Sequence, residues 1–295
     1  MIETPSAIGT PDDACDCVFE RPDAMSDKVM HYCPGCGHGI IHRIVAEMVD
    51  EFGLIDRTVG VCPVGCAVFA YEYFNFDSIE ASHGRACAVA TAVKRLDPKR
   101  FVFTYQGDGD LAAIGLAETV HAAARGERFT VFFVNNGIYG MTGGQMAPTS
   151  LLGQKTTTSP SGRVERQTGC PLGVCEMLAT LPDVAFLARV SISSPKNVIA
   201  ARKLARKAVR AQLEDKGFAL IEFLSTCPVQ WGLTPIAAMK HVDADVVKQF
   251  PLGVFVDRVG DPEPRQTPPA PTSGAGAPAA GGSAAASANS NGGGL

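Results

Sequence analysis

Two short polar runs and a set of cysteines carry the chemistry that can be read from this chain. Gln106-Gly107-Asp108-Gly109-Asp110 follows the apolar run RFVFTYQ and opens the helical run LAAIGLAETVHAAARG. Glycines let a backbone approach a ligand closely. The first turn of a helix offers unpaired N–H groups at the positive end of its dipole, which suits a phosphate. A carboxylate in the same place repels that phosphate unless a cation lies between them. A hard ion such as Mg2+, which takes oxygen ligands and keeps phosphate oxygens in its shell, meets that need. Asn135-Asn136 closes the next apolar run, FTVFFVNN. Neighbouring strand ends of a parallel sheet lie side by side, so Asp108 and Asn136 can grip one ion from two loops. The bend at Gly137-Ile138 can add a carbonyl ligand. Taken alone, GDGD reads equally well as a tight turn with an N-capping aspartate, because Gly and Asp are turn residues. The Asn pair one helix and one strand later raises the cofactor reading above that one. The spacing does not continue into a calcium loop with a closing Glu.

The chain has 10 cysteines. Cys33 and Cys36 form a CxxC in a Pro/Gly turn before a helical run, Cys62 and Cys66 form a CxxxC, and Cys227 follows an apolar run and precedes Pro228. Thiolates so spaced can bind zinc, ligate an iron–sulfur cluster or form a redox dithiol. By spacing alone, a zinc site on Cys33, Cys36, Cys62 and Cys66 is a serious rival to a cluster. Cys15, Cys17, Cys87, Cys170 and Cys175 receive no function, since free cysteines are commonly buried and inert. His83-Gly84-Arg85 reads either as a pair of groups for an anion or as the first turn of the helix GRACAVATAVKRL. The Thr/Ser-rich segment Ser150–Gln167 is long enough for a lid or a subunit contact. Met141 and Met146 are substrate contacts or packing.

These residues need a scaffold, and the pattern supplies one. GHGIIHRIVAEMVDEF has helical apolar spacing. The run at Val59–Val61, the strands RFVFTYQ and FTVFFVNN, and the unit VAFLARV, helix Pro195–Lys216, FALIEFL alternate with helices. The expected fold class is α/β, a doubly wound, mostly parallel sheet covered on both faces, with its site at the carboxyl ends of strands. At 295 residues and 46% hydrophobic, the chain can bury a large core. A net charge of −4 argues against sequence-independent nucleic-acid binding. No run is apolar enough to span a membrane, and the polar N-terminus is not a secretory signal, so a cytoplasmic protein is expected. The basic residues Lys196, Arg202, Lys203, Arg206, Lys207 and Arg210 read as a solvated helix face before a patch for docking a partner protein. The expected organisation is a polar arm over 1–27, one domain over 28–256, and a Pro/Ala/Gly/Ser tail over 257–295 too poor in apolar residues to fold.

In chain order, Tyr32-Cys33-Pro34-Gly35-Cys36-Gly37-His38, Pro63-Val64-Gly65-Cys66, His83-Gly84-Arg85, GDGDLAAIG, NNGIYGMTGGQ and Ser225-Thr226-Cys227-Pro228 resemble the β subunits of 2-oxoacid:ferredoxin oxidoreductases, with the flavour of the 2-oxoisovalerate branch. The resemblance covers about residues 28–256, and within it GDG followed by NN is the thiamine diphosphate motif. It implies a thiamine diphosphate-binding fold in which Asp108, Asn136 and the Ile138 carbonyl hold Mg2+. It implies that Val64, Gly65, Cys66, Ala67, His83, Gly107, Gly109, Asp110, Gly140 and Met141 bind the cofactor, with His83 and Arg85 as catalytic residues. It selects Cys33, Cys36, Cys66 and Cys227 for one 4Fe–4S cluster. A cluster on Cys66 would lie close to the cofactor, a placement that redox-inert zinc would not explain. Cys62 departs from the family pattern, which has a small residue there.

The implied activity is CoA-dependent oxidative decarboxylation of a 2-oxoacid to acyl-CoA and CO2, with one-electron transfer to ferredoxin. Branched-chain 2-oxoacids are favoured over 2-oxoglutarate, with pyruvate or an aryl 2-oxoacid behind them. The implied partners are an α subunit supplying the second half of the site, including a glutamate with no clear candidate here, a ferredoxin-like subunit, and a γ subunit or domain. Against this stand a non-redox thiamine enzyme, a zinc-stabilised binding module, and a structural subunit with a vestigial site.

Overall fold

The structure, a computed structural model, describes residues 20–260. Expectations for residues 1–19, with Cys15 and Cys17, and for the tail from 261 onward lie outside the described residues. The strands are β1 (Thr58–Pro63), β2 (Asp77–Ala81), β3 (Phe101–Gly107), β4 (Thr130–Asn135), β5 (Ile138–Tyr139), β6 (Gln145–Met146), β7 (Val184–Ser191), β8 (Phe218–Leu224) and β9 (Gly253–Asp257). The helices are α1 (His38–Glu51), α2 (Ala86–Leu96), α3 (Leu116–Ala124), α4 (Glu165–Thr168), α5 (Val174–Leu178), α6 (Pro195–Leu213), α7 (Pro228–Trp231), α8 (Pro235–His241) and α9 (Val247–Gln249).

Seven strands form one sheet in the order β2-β1-β3-β4-β8-β7-β9. Every neighbouring pair is parallel except β7 with β9, so the sheet is mostly parallel, as the strand–helix alternation implies. β1, β4, β7 and β8 are buried at every residue, the signature of strands covered on both faces. On β3, Phe101, Phe103 and Tyr105 pack with α1 and α6, while Val102 packs with α2, α3 and α5. The period of two thus builds two cores. The edge strand β2, with Asp77, Ser78 and Glu80, lacks an apolar run and was not read from the sequence.

Two local features depart from the linear reading. The helix expected over 111–126 is interrupted. Gly109–Ile114 winds as a wider π turn, closed by the Gly115 N–H on the Asp110 carbonyl at 2.8 Å, and α3 starts only beyond it. Such insertions concentrate at functional sites. The basic face of α6 is not simply solvated. Arg202 pairs with Glu47 at 3.0 Å and Arg206 with Glu51 at 2.6 Å on α1, Lys207 with Asp257 at 2.8 Å, and Arg210 with Glu214 at 2.6 Å. Residues at the end of the expected N-terminal arm pack on this domain: Ala24 is fully buried and donates its N–H to Asp50 Oδ1 at 3.0 Å. Among the described residues no helix is long and apolar enough to cross a membrane.

His42 on α1 is fully buried among the rings of Tyr32, Phe74 and Tyr105, and its Nε2 meets the Tyr32 hydroxyl at 2.7 Å. Burial, followed by the neighbouring His38 and His31, holds its pKa well below the usual 6.5. The unfolded chain therefore takes up a proton near pH 6.5 that the native state refuses, and stability falls as pH drops through that value. Calorimetry between pH 7.5 and 5 should show a falling unfolding midpoint, with a shallower fall in His42→Gln. Equal slopes in the two proteins would remove His42 as a source.

Candidate cofactor and cluster site

The sheet order places the ends of β1, β3, β4 and β8 in a row. Gly107 at the end of β3 pairs with Val134 of β4, and Asn135 at the end of β4 pairs with Leu224 of β8. The loops Val64–Ala67, Asp108–Asp110, Asn136–Tyr139 and Ser225–Cys227 therefore leave the same edge. One cavity of about 110 Å³ is lined by every residue expected to bind the cofactor: Val64, Gly65, Cys66, Ala67, His83, Gly107, Gly109, Asp110, Gly140 and Met141. The three expected Mg2+ ligands Asp108, Asn136 and Ile138 line it too.

Asp108 is 2% exposed. Its Oδ1 accepts the Gly109 N–H at 2.8 Å and its Oδ2 accepts the Thr149 hydroxyl at 2.7 Å. Burial pushes its pKa up to about 6 against these bonds. A carboxylate held in this way fits a bound cation, because the ion supplies the charge that burial withholds. Asn136 presents its Oδ1 beside it, accepting the Ile138 N–H at 3.2 Å. Gly109 has no alternative: a Cβ there would stand 2.2 Å from the Tyr139 ring, whose hydroxyl donates to the Gly109 carbonyl at 3.2 Å.

Asp110 serves a different group. Its Oδ1 accepts the Gly84 N–H at 2.6 Å and meets His83 Nδ1 at 2.7 Å, while its Oδ2 accepts Gln106 Nε2 at 2.6 Å. Tying Nδ1 to a carboxylate leaves Nε2 of His83 for the cavity. Arg85 lies outside the cavity lining and pairs with Glu118. Of the two residues expected to be catalytic, the fold brings one to the cavity.

The cysteine-bearing segments approach one another from three loops. The Cys36 N–H closes a turn on the Cys33 carbonyl at 3.0 Å, and the Thr226 hydroxyl donates to the Gly35 carbonyl at 2.7 Å, joining this turn to the end of β8. A Cβ on Gly140 would lie 3.3 Å from Cys66 Sγ and 3.4 Å from Cys227 Sγ, so both thiols reach the cavity wall at one glycine. Burial raises Cys66 to about 11, with Cys36, Cys33 and Asp108 adding to it. Burial likewise raises Cys227 to about 12, with Cys36 and Cys66 adding to it. Thiols are also the donor type that an iron–sulfur or zinc centre takes, since the metal deprotonates its ligands. Cys62 is fully buried within the apolar core. Cys87 on α2 and Cys175 on α5 are also buried, and Cys170 is exposed. Among the described residues, no three His, Cys, Asp or Glu side chains draw together as a site for a single ion.

Several residues of the site carry no motif. Thr149 lies just before the polar segment Ser150–Gln167 and was not read from the sequence, yet it donates to Asp108. Ser150 and Gln154 donate to the Gly137 carbonyl at 2.6 and 3.0 Å, so the segment expected to be a lid or a subunit contact clamps the Asn136–Ile138 loop from the side. Arg163, 5% exposed, donates to the carbonyls of Pro148, Ser150 and Cys170 at 2.8, 2.6 and 2.9 Å and holds that segment in shape. Trp231, the sole tryptophan of the sequence, donates Nε1 to the Asn136 carbonyl at 3.1 Å. Gln106, immediately before GDGD, is the one such residue whose position signalled it.

Residues 63–223 match the family described as thiamine pyrophosphate enzyme, C-terminal TPP binding domain. The chain is 47% identical over 261 residues to the ketoisovalerate oxidoreductase subunit VorA of Methanothermobacter thermautotrophicus, a match covering 88% of this chain and 54% of that relative. It is 33% identical over 238 residues to the 2-oxoglutarate synthase subunit KorB of Archaeoglobus fulgidus, covering 77% of this chain and 85% of that one. The chain thus spans about half the length of the ketoisovalerate oxidoreductase subunit. In fold it is similar to a 2-oxoglutarate:ferredoxin oxidoreductase from Magnetococcus marinus, with a TM-score of 0.68 and 24% identity over 81% of this chain and 85% of that one.

Thr149→Val keeps the shape of the side chain and leaves Asp108 Oδ2 without its donor. Unfolding should show a loss of about 1–3 kcal/mol. Equilibrium dialysis should show Mg2+-dependent thiamine diphosphate binding weakened about tenfold or more. Unchanged binding would take Thr149 out of the site.

Proposed function

The chain belongs to the thiamine pyrophosphate enzymes and, among them, to the subunits of 2-oxoacid:ferredoxin oxidoreductases, and on that premise we propose that it forms the cofactor- and cluster-bearing half of the active site of such an enzyme. The reaction proposed converts a 2-oxoacid and CoA to acyl-CoA, CO2 and a proton, with two electrons passing one at a time to ferredoxin. The observation that carries this reading is the convergence on one cavity of the Asp108 and Asn136 loops with Cys66, while Cys227 meets the same wall at Gly140.

Bound thiamine diphosphate supplies the electron sink for loss of CO2, and a 4Fe–4S cluster supplies the one-electron exit. The protein's own residues do the rest. Asp108, Asn136 and the Ile138 carbonyl would hold a Mg2+ that would offset the charge of the diphosphate. Gly109 leaves room where a side chain would collide with Tyr139, and Gly140 lets Cys66 and Cys227 approach closely. His83, oriented by Asp110, would present Nε2 to the diphosphate or to a substrate carboxylate. Cys33, Cys36, Cys66 and Cys227 would hold the cluster against the cavity wall. Arg85, paired with Glu118, would meet an incoming anion from outside the cavity lining.

The site supports a need for partners. Its cavity of about 110 Å³ is small beside the roughly 300–1,000 Å³ of pockets that enclose a ligand. Val64 and Met141 on its lining are 41% and 47% exposed. Asp108 and Asp110 are its lining carboxylates, and no glutamate lines it. An α subunit would close the cavity and bring the acidic group that activates the cofactor. A ferredoxin-like subunit and a γ subunit or domain would carry electrons onward and complete the CoA site. A reducing cytoplasm suits this reading, because the eight described cysteines are free thiols. A branched-chain 2-oxoacid is proposed as substrate, supported by 47% identity to the ketoisovalerate enzyme subunit against 33% to a 2-oxoglutarate synthase subunit.

Anaerobic purification of the complex should yield about four irons and four acid-labile sulfides assigned to this chain, together with thiamine diphosphate. Asp108→Asn should lose thiamine diphosphate and turnover while keeping its iron, and Cys66→Ser should lose iron. Zinc in place of iron would sink the cluster assignment. In a panel of 2-oxoacids with CoA, 2-oxoisovalerate should give the highest kcat/KM; a preference for 2-oxoglutarate would overturn the substrate assignment.

A further inference from the structure

Glu222 on β8 is a fully buried carboxylate with no part in the chemistry above. Its Oε1 accepts Asn135 Nδ2 on β4 at 2.7 Å. Its Oε2 accepts Arg189 Nε on β7 at 2.8 Å and Cys175 Sγ on α5 at 3.0 Å. Arg189, also fully buried, makes two further bonds of 2.7 Å to Glu176 and lies 5.2 and 5.0 Å from the ring centres of Phe250 and Phe255. A buried ion pair is not in itself a gain in stability, since packed apolar side chains often do as well. What sets this one apart is the third partner, Asn135.

The Asn135 amide both donates and accepts, and its orientation is a matter of which neighbour it meets. A carboxylate can only accept. Facing Glu222, Asn135 must therefore turn Nδ2 toward it, which leaves Oδ1 for the Gly137 N–H at 3.2 Å. That bond bends the chain over Asn136 and sets Gly137 at φ +66°, with its carbonyl turned to Ser150 and Gln154. The bend carries Asn136 Oδ1 and the Ile138 carbonyl. We propose that Glu222 is a positioning residue for the metal loop: by accepting on both oxygens it dictates the orientation of the Asn135 amide, and through it the backbone that offers Asn136 and Ile138 to Mg2+. This rests on the Mg2+ assignment made under the proposed function. The Arg189–Glu176 arm holds the carboxylate in place within the sheet.

The test is a reciprocal exchange. Glu222→Gln cannot accept from Asn135 and Arg189 at once, because one of its two terminal atoms is a donor. Asn135→Asp sets two carboxylates face to face. Combined, the two restore a full set: the new amide donates to the new carboxylate and accepts from Arg189, and the other new carboxylate oxygen accepts the Gly137 N–H. The readouts are the Mg2+ concentration at half-saturation of thiamine diphosphate binding, measured by dialysis on the complex stripped with a chelator, and the thermal midpoint. Each single variant should need about tenfold more Mg2+, and the double variant should return toward the unsubstituted protein. If Asn135→Asp does not fold, Glu222→Gln against the double variant makes the same comparison. Single variants that lose thermal stability yet keep the original half-saturation, or a double variant no better than Glu222→Gln, would overturn the positioning role alone. Binding that ignores Mg2+ in the unsubstituted complex would overturn the metal assignment and this role with it.

Discussion

A carboxylate removed from water at the end of a central strand is the constraint around which this protein is arranged. Asp108 is 2% exposed, and burial moves its pKa up to about 6. Leaving such a group unpaired is costly, so its surroundings must meet it with donors or a cation. The backbone supplies donors at Gly109, Gly137 and Ile138, and Thr149 supplies another across the loop. Asp108 also lines the cavity, which makes the end of the strand a candidate binding site.

The same logic extends outward. Asp110 is bonded by Gln106, the Gly84 N–H and His83, and Glu222 by Asn135, Arg189 and Cys175. Arg163 is met by backbone carbonyls. Three buried acids and two buried guanidiniums, Arg163 and Arg189, thus stand within or behind the sheet, each hydrogen-bonded. A fully satisfied polar network is rigid because moving any member leaves another unpaired in a low dielectric. Rigidity of this kind suits a site that must hold a cation and a diphosphate in fixed geometry, and it explains why the polar groups concentrate at the carboxyl edge while the faces of the sheet are filled by Phe, Val and Ala.

The cysteines obey a second constraint, that of access. Cys66 and Cys227 meet at Gly140, and Gly109 lies against the Tyr139 ring. A methyl group would strike the Tyr139 ring at Gly109 and would crowd the two thiols at Gly140. Cys62, although close to Cys66 in sequence, points into the apolar core on a strand buried at every residue. The chain leaves β1 between the two thiols, so Cys66 lines the cavity while Cys62 stays in the core.

What the sequence by itself determined is the alternation of strand and helix, the placement of GDGD and NN at successive strand ends, and the cysteine-bearing turns. Each rests on a local rule: apolar periodicity makes the element, glycine and aspartate end it, and parallel pairing aligns the loops beyond. The edge strand β2 and the π turn after Asp108 escaped that reading, because one has a polar pattern and the other has the apolar spacing of a continuous helix. The rest belongs to tertiary structure. That Cys227 stands beside Cys66, that Thr149 reaches Asp108 and Glu222 reaches Asn135, and that His83 lines the cavity while Arg85 pairs with Glu118 all depend on which strands are neighbours and which way each side chain points. Those are contacts between residues far apart in the chain, decided by packing two cores on one twisted sheet, and no local period encodes them.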